Sequence, residues 1–269
     1  MTDHKLIGIF DSGVGGLTVA RHIGRELPHT PSIFFGDTLH VPYGGRRAEE
    51  VVSFIDAICH HLIKSGAGVL VMACNTSSAL AFDHVVSWSN VPVIGIIEEA
   101  AKAAVATSKS GRIGVLANAL TAGSGAYERA CAKAVSSLSK EDVQVTPVGC
   151  PKLVPLIERG EIDGPNVEAA LREYWQPLCE AKVDTVILGC THYPFVRPVL
   201  ERIAGEGVKV IDPALYVVER LKGLGFADVD GEKAENLRRY QVSGDALDFA
   251  KVSSQLLGQA VGPVEHVEL

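Results

Sequence analysis

The chain has 269 residues, of which 47% are hydrophobic and 21% are charged, and its formal net charge is -7 at pH 7. This composition supplies enough apolar side chains for a buried core and excludes an intrinsically disordered protein. The acidic balance excludes an extended nucleic-acid-binding surface, which requires clustered positive charge, but a small anion can still bind to backbone N–H groups.

The first apolar run, residues 6–10, is not preceded by a basic segment and a signal-peptide-like apolar region. No uninterrupted apolar stretch of about 18 residues is present, so we expect no membrane span. The six cysteines form no Cys-x-x-Cys pair, which favours free thiols over disulfides or a structural metal site. These observations predict a cytoplasmic protein.

Short apolar runs alternate with amphipathic segments along the chain. Strands are predicted at residues 6–10, 32–36, 68–73, 92–97, 112–116, 143–148, 185–189, 208–211 and 239–243. Helices are predicted near residues 16–26, 46–64, 76–88, 98–108, 121–138, 165–181, 195–204, 213–223 and 245–257. Several strand segments are apolar at successive positions, which is typical of strands buried on both faces. The alternation predicts an α/β fold with parallel, helix-covered sheets.

A weak internal repeat indicates two similar halves. Residues 6–13 resemble residues 112–119, and residues 71–76 resemble residues 187–192 in the same order. The repeat predicts two Rossmann-like or flavodoxin-like α/β domains related by a pseudo-two-fold axis. Ligands of open α/β sheets bind beyond the carboxyl ends of the strands, so we expect the active site in a cleft between the domains. The expected first domain is residues 1–97 with residues 212–269, and the expected second domain is residues 98–211.

A glycine-rich turn, residues 11–17, joins the first strand to the first helix. Its glycines allow close backbone approach, and the helix N-terminus favours an anion. The spacing fits neither a dinucleotide-binding fingerprint nor a P-loop. Asp11 either orients a catalytic group or a substrate ammonium, or caps the turn.

A second turn, residues 37–45, follows the next strand. Pro42 restricts the backbone and Gly44 frees it, so Tyr43 is held on a defined turn. A surface turn without a binding role is the alternative interpretation.

Cys74 and Cys190 each end an apolar strand at matched positions of the repeat. Both precede residues that can cap a helix, and a helix N-terminus lowers a thiol pKa from about 8.5 toward neutrality. That tuning suits a general acid/base. The other four thiols lack this context and are interpreted as structural: Cys59, Cys131, Cys150 and Cys179.

Two other interpretations of these residues are weaker. Cys190 and His192 are separated by one residue, whereas zinc ligands usually have at least two residues between them. A Cys–His nucleophile pair for acyl transfer would leave the second cysteine without a role. Glu158 follows an apolar stretch, and it is either a desolvated acid that assists His192 or a surface residue at a helix end.

Taken together, the motifs resemble those of bacterial glutamate racemases over most of the chain. The resemblance rests on residues 10–16, 42–44, 74–79, 126–128, 150–152, 154–156 and 189–194. It implies two α/β domains without pyridoxal phosphate, another cofactor or a metal. It also implies that Cys74 and Cys190 are the two acid/base residues, acting on D- and L-glutamate respectively.

The resemblance further implies that Asp11, His192 and Glu158 assist the two thiols. The implied substrate contacts are Asp11, Ser12, Tyr43, Gly44, Asn75, Thr76, Thr121, Thr191 and His192. The expected role is the supply of D-glutamate for peptidoglycan by a cytoplasmic homodimer. An aspartate or other amino-acid racemase of the same superfamily is the alternative enzyme, and an anion-binding module without turnover is the alternative outside enzymes.

The chain departs from the usual pattern of these racemases at two places. Asn118 stands where a threonine is common, and Glu98-Glu99 replaces the usual Glu-Pro after the fourth strand. The first departure changes the geometry of a possible hydrogen-bond donor near the substrate.

Overall fold

The computed structural model describes residues 6–43, 46–139, 142–227 and 237–269. The chain divides into two compact units: the first comprises Met1–Ile96 and Val217–Leu269, and the second comprises Ile97–Tyr216. In the described ranges, no helix has both the length and the apolar character needed to cross a bilayer.

The strands of the described residues are short and mostly buried. In chain order they are β1 (Leu6–Asp11), β2 (Ser32–Gly36), β3 (Ala67–Met72), β4 (Val93–Gly95), β5 (Arg112–Ala117), β6 (Gln144–Gly149), β7 (Thr185–Gly189), β8 (Lys209–Ile211), β9 (Arg238–Val242) and β10 (Val264–His266).

The helices follow the strands in alternation. They are α1 (Leu17–Glu26), α2 (Ala48–Lys64), α3 (Asn75–Trp88), α4 (Ile96–Thr107), α5 (Ala119–Gly123), α6 (Ala126–Leu138), α7 (Leu153–Glu158), α8 (Pro165–Glu180), α9 (Arg197–Ala204), α10 (Pro213–Gly223) and α11 (Ala246–Leu257), with a 3₁₀ helix at Tyr193–Val196.

The first unit contains a six-stranded sheet in the order β10-β9-β2-β1-β3-β4. All of its strand pairs are parallel. Strand β1 lies between β2 and β3, and Ile7, Ile9 and Phe10 on it are fully buried. Burial of apolar residues from both faces of a strand is what helices on both sides of a parallel sheet require.

The second unit contains a four-stranded parallel sheet in the order β6-β5-β7-β8. This order repeats the order β2-β1-β3-β4 of the first unit. The sequence repeat, which aligns β1 with β5 and β3 with β7, is therefore confirmed at the level of strand order. The predicted α/β class with parallel sheets is confirmed as well.

The carboxyl ends of the first unit's central strands meet at one edge of the sheet. Asp11 pairs in register with Gly36, and Phe10 pairs with Met72. The next residues along β2 and β3 bring Asp37 and Cys74 to the same edge as Asp11.

The second unit has the equivalent edge. Ala117 pairs in register with both Gly149 and Gly189. Asn118, Cys150 and Cys190 directly follow these three residues, so they lie at the carboxyl edge of the second sheet.

Some predicted elements differ from the observed ones. The helix predicted over residues 121–138 is two helices, because Gly125 at their junction has a φ of 69°, which ends a right-handed helix. Strand β10 and helix α7 were not predicted. The helix predicted from residue 195 begins as a 3₁₀ turn and continues as α9.

Candidate active site

Asp11 ends strand β1 with its side chain buried and engaged in the following turn. Its Oδ1 accepts a hydrogen bond from the Gly13 N–H at 2.8 Å, and the residue is 2% exposed. A Cβ on Gly16 would overlap the Asp11 side chain, so a glycine is required where α1 begins. Asp11 thus caps the turn, as one of the two sequence interpretations proposed, and still lies at the sheet edge beside Cys74.

Cys74 occupies the N-cap position of α3, as the sequence predicts. Its carbonyl accepts the first helical hydrogen bond, from the Ser78 N–H at 3.0 Å. Its side chain is 6% exposed, and its Sγ lies 3.5 Å from the Ser12 Oγ.

The pKa of Cys74 differs from the sequence expectation. Burial raises the pKa of this thiol, the Asp11 carboxylate raises it further, and hydrogen bonds from Ser12 and Ser77 lower it by less. The expectation of a lowered pKa is therefore wrong for Cys74, since desolvation and a like charge outweigh the helix N-terminus. The thiol is the stable form of Cys74 at neutral pH.

Ser77 is a site residue that the sequence analysis missed. It is fully buried in the first turn of α3, and its hydroxyl and backbone N–H both lower the pKa of Cys74. A buried hydroxyl beside the sulfur stabilises the Cys74 thiolate when that anion forms.

The two residues after Cys74, Asn75 and Thr76, are each 3% exposed and form the start of α3. Their buried polar side chains lie at the same sheet edge as Cys74 and Asp11. The structure therefore brings together four of the residues expected to contact a substrate: Asp11, Ser12, Asn75 and Thr76.

Tyr43 is held inside the first unit by its hydroxyl. The hydroxyl donates to Asp37 Oδ2 at 2.6 Å, and the residue is 3% exposed. Asp37 also accepts a hydrogen bond from Ser243 at 2.7 Å and contacts His40 Nδ1 at 2.8 Å. The Tyr43 side chain thus anchors its turn, while the adjacent Gly44 lies outside the described residues.

Cys190 directly follows β7 and is 8% exposed. The Tyr193 N–H donates to the Cys190 carbonyl at 3.1 Å, which is a tight-turn bond rather than an α-helical one. An α-helix starting here would need an N–H from Pro194, and proline has none. The expected α-helix N-terminus at Cys190 is therefore wrong, and a 3₁₀ helix follows instead.

His192 links Cys190 to a carboxylate. Its Nδ1 lies 3.8 Å from the Cys190 Sγ, and its Nε2 lies 3.0 Å from Glu158 Oε1. The imidazole is 11% exposed and the Glu158 side chain is 44% exposed. A carboxylate on one ring nitrogen orients the imidazole and stabilises its protonated form, which can exchange a proton with the thiol.

Glu158 is the last residue of α7. The sequence allows either a surface residue or an assistant of His192. Its side chain is partly exposed, and its Oε1 is hydrogen-bonded to the imidazole of His192, so the contact that an assisting role requires is present.

Asn118 is the N-cap of α5, and its Oδ1 accepts a hydrogen bond from the Thr121 N–H at 2.8 Å. Asparagine and threonine are both suitable helix N-caps, so the replacement conserves this local structure. Thr121 is 1% exposed and Thr191 is 8% exposed, and both lie close to the carboxyl edge of the second sheet.

The other four cysteines are placed differently. Cys59, Cys131 and Cys150 are buried, and burial raises the pKa of each thiol, to about 12 for Cys131 and Cys150. Cys179 is exposed on α8. Within the described ranges, no three His, Cys, Asp or Glu side chains form a group that could hold a metal ion.

The two units thus present the same arrangement, a strand-end thiol at the carboxyl edge of a parallel sheet, with different partners. Cys74 has a carboxylate and hydroxyl groups beside it, whereas Cys190 has an imidazole linked to a carboxylate. Thiol, carboxylate and imidazole groups in these positions can donate and accept protons.

Comparisons with known proteins show the family of this chain. A family model described as Asp/Glu/Hydantoin racemase matches residues 17–221. The glutamate racemase of Desulforudis audaxviator is 46% identical, with 97% of each chain covered. The crystal structure of the glutamate racemase isoform RacE1 from Bacillus anthracis superposes with a TM-score of 0.88 at 33% identity, covering 99% of this chain and 98% of that one.

A third relative, the glutamate racemase of Francisella tularensis in complex with D-glutamate, superposes with a TM-score of 0.87 at 30% identity, covering 99% of this chain and 98% of that one. The chain belongs to the Asp/Glu/hydantoin racemase family and is an isomerase of the amino-acid racemase class. The resemblance to glutamate racemases found in the motifs is confirmed.

Proposed function

We propose that this protein interconverts L- and D-glutamate by transferring protons at the α-carbon, with Cys74 and Cys190 as the two acid/base residues. The observation that carries the proposal is that both thiols hold the same strand-end position in units of the same strand order. The names of the relatives and the D-glutamate bound in the Francisella structure support glutamate as the substrate.

In this proposal one thiol, as the thiolate, removes the α-proton from one face of the substrate. The other thiol delivers a proton to the opposite face, so the configuration inverts without rotation of the substrate. Cys190 acts on L-glutamate and Cys74 acts on D-glutamate. The two roles reverse with the direction of the reaction, which requires each thiol to hold and to release a proton.

The surroundings of each thiol suit these roles. Burial and Asp11 keep Cys74 in the thiol form, which is the proton donor when L-glutamate is converted. Ser12 and Ser77 stabilise the thiolate that this donation leaves. At Cys190, His192 accepts the thiol proton and Glu158 stabilises the resulting imidazolium.

Hydrogen-bond donors around the substrate carboxylates lower the energy of the carbanion-like intermediate. We assign these contacts to residues at the carboxyl edges of the two sheets: Asp11, Ser12, Asn75, Thr76, Thr121, Thr191 and His192, together with the turn at Tyr43 and Gly44. All proton transfers in this scheme use side chains of the chain itself, and the proposal needs no cofactor or metal.

We also propose that the D-glutamate serves peptidoglycan synthesis and that the enzyme works in the cytoplasm as a homodimer. The similarity to bacterial glutamate racemases supports the role, and the six free cysteines fit a reducing compartment.

The test is incubation with L-glutamate in heavy water, with proton NMR to follow loss of the α-proton signal and chromatography to follow D-glutamate. We expect deuterium in the product. Cys74→Ser and Cys190→Ser should each abolish racemisation with little change in thermal unfolding, because serine is a far weaker acid at neutral pH. Cys179→Ser, at an exposed thiol on α8, is the matched control and should keep full activity.

Full activity in either of the first two variants would contradict the two-base mechanism. Exchange of aspartate but not of glutamate would move the substrate assignment to the alternative racemase. No exchange with either amino acid would favour an anion-binding protein without turnover.

A further inference from the structure

The turn at residues 150–152 connects strand β6 to helix α7, and Glu158 is the last residue of that helix. Three hydrogen bonds tie the turn to other elements of the second unit. The Cys150 N–H donates to the Ala117 carbonyl at 2.8 Å, and the Lys152 N–H donates to the Tyr174 hydroxyl at 3.2 Å. The third bond is donated by the Tyr193 hydroxyl to the Cys150 carbonyl at 3.2 Å.

Tyr193 contacts both strand-end turns of the second unit. Its N–H donates to the Cys190 carbonyl, and its hydroxyl reaches the Cys150 carbonyl. Strands β6 and β7 are not neighbours, because β5 lies between them. The Tyr193 side chain, which is 1% exposed, therefore reaches from the turn after β7 to the turn after β6.

This bridge connects the turn that carries His192 with the turn that leads to Glu158. His192 lies in the Cys190 turn, directly before Tyr193. Glu158 ends helix α7, which follows the Cys150 turn, and its Oε1 lies 3.0 Å from His192 Nε2. A change in the spacing of the two turns would move α7 relative to the imidazole and alter this contact.

We propose that Tyr193 is a positioning residue for the Cys190 half of the reaction, holding α7 so that Glu158 stays hydrogen-bonded to His192. The inference rests on the proposed function. Tyr174 supports the same turn from α8 by accepting the Lys152 N–H. Burial and the nearby Cys190 and Cys150 thiols raise the pKa of the Tyr193 phenol, so its hydroxyl remains a donor across the working pH range.

The first test is Tyr193→Phe, which removes the hydroxyl and keeps the ring. Deuterium isotope effects on kcat/KM are measured with α-deuterated L-glutamate and with α-deuterated D-glutamate. Slower proton transfer at Cys190 makes removal of the α-proton from L-glutamate more rate-limiting, so the isotope effect for the L-isomer should rise. Cys74 removes the α-proton of D-glutamate, and this step becomes less rate-limiting, so the isotope effect for the D-isomer should fall. We expect kcat/KM to fall about 3- to 10-fold, the range for loss of one hydrogen bond.

Matched variants separate positioning from general damage. Tyr240→Phe makes the same change on β9 of the first unit and should leave both isotope effects unchanged. Tyr174→Phe loosens the Cys150 turn from its other side, so it should shift the two effects in the same directions as Tyr193→Phe. It also provides the test if Tyr193→Phe does not fold.

A double variant tests whether Tyr193 acts through Glu158. In a Glu158→Gln background, Tyr193→Phe should cause little further change, because the contact that it positions is already weakened. Additive losses in the double variant would overturn the proposal. So would unchanged isotope effects in Tyr193→Phe and Tyr174→Phe.

The outcome for the proposed function is read separately. If the unmodified protein fails to exchange the α-proton of glutamate, the proposed function fails. If it racemises glutamate normally and the tyrosine variants behave as the control, only the positioning role fails.

Discussion

The two candidate acid/base thiols differ in the groups that surround them. Cys74 lies beside the Asp11 carboxylate and the Ser12 and Ser77 hydroxyls, and it is the N-cap of a true α-helix. Cys190 lies in a tight turn with His192 against its sulfur. The two protons are therefore held by different chemistry, although the two thiols occupy equivalent strand ends.

The partners of Cys74 should shift its pKa in opposite directions. Asp11→Asn removes a negative charge that raises the pKa, so the thiolate should form at lower pH than in the unmodified protein. Ser77→Ala removes a donor to the thiolate, so it should form at higher pH. The measurement is the rate of alkylation of the Cys74 peptide against pH, followed by mass spectrometry.

Ser87→Ala, on the exposed face of the same helix, is the control for these variants and should leave the alkylation midpoint unchanged. A midpoint that rises in Asp11→Asn would show that the Asp11 charge does not act on the sulfur as described.

We also expect Asp11→Asn to racemise glutamate more slowly than the unmodified protein. Its Cys74 thiol is more acidic, but Asp11 no longer assists proton transfer.

Much of the candidate site could be predicted from residue types and positions. Strand ends with a polar residue or a cysteine are visible in the chain, which is why Asp11, Cys74 and Cys190 could be named. The pKa direction of Cys74 could not be predicted, because it depends on how deeply the sulfur is buried and on its neighbours in space. Ser77 was missed for the same reason, since a serine in a first helical turn is ordinary until its hydroxyl is found buried beside a thiol.

At the scale of secondary-structure elements, one carboxylate connects two parts of the second unit. Asp184, just before β7, accepts hydrogen bonds from the Ser108 hydroxyl at 2.6 Å and from the Lys109 and Ser110 N–H groups at 2.8 and 2.7 Å. These donors lie in the turn between α4 and β5. Burial raises the pKa of Asp184, but the hydrogen bonds outweigh it and lower the pKa to about 2.

Asp184 should therefore contribute stability that depends on pH. A carboxyl group with a lowered folded pKa stabilises the fold above its ordinary value of 3.8, and this contribution is lost as the pH falls toward 2. Asp184→Asn should lower the urea midpoint most at neutral pH, and its difference from the unmodified protein should shrink between pH 4 and pH 2.

Asp83→Asn, at an exposed carboxylate on α3, is the matched control and should show little loss at any of these pH values. A penalty for Asp184→Asn that is constant with pH would mean that the side chain acts through its shape rather than its charge.

The predicted elements differ from the observed ones where periodicity carries little information. Helix α7 is only six residues long and contains Pro155, so its pattern is too short to distinguish from a loop. Strand β10 has three residues, and it is a strand because it pairs with β9, a contact that the local sequence does not reveal. The break at Gly125 could have been suspected from the glycine, but many helices tolerate one.

At the scale of the whole molecule, substrate binding should stabilise the folded chain. A ligand at about 100 times its Kd adds about 2.7 kcal/mol to the free energy of unfolding. A double variant, Cys74→Ser with Cys190→Ser, should bind D-glutamate without converting it. We expect D-glutamate to raise its thermal midpoint by about 5–10 °C.

D-glutamine is the matched control, because it has nearly the same shape without the side-chain carboxylate, and it should cause a much smaller rise. Equal shifts with both compounds would argue against recognition of the second carboxylate. A larger shift with aspartate than with glutamate would favour the alternative substrate.

The overall architecture was the most predictable level of the structure. The repeat in the sequence, seen at the glycines of β1 and β5 and at Cys74 and Cys190, corresponds to the shared order of four strands in each unit. The similarity is visible because the two units repeat a short apolar strand and the turn that ends it, at residues 71–76 and 187–192.

The connectivity of the first sheet has a consequence for synthesis on the ribosome. Strand β9 pairs with β2, although the whole second unit lies between them along the chain. The second unit is continuous and can fold as soon as it leaves the exit tunnel. The first sheet is completed only when β9 and β10 emerge, so the nascent chain carries an unpaired edge at β2 while the other unit is already able to fold. We therefore expect newly made first-unit segments to be the part of the chain that most needs a chaperone.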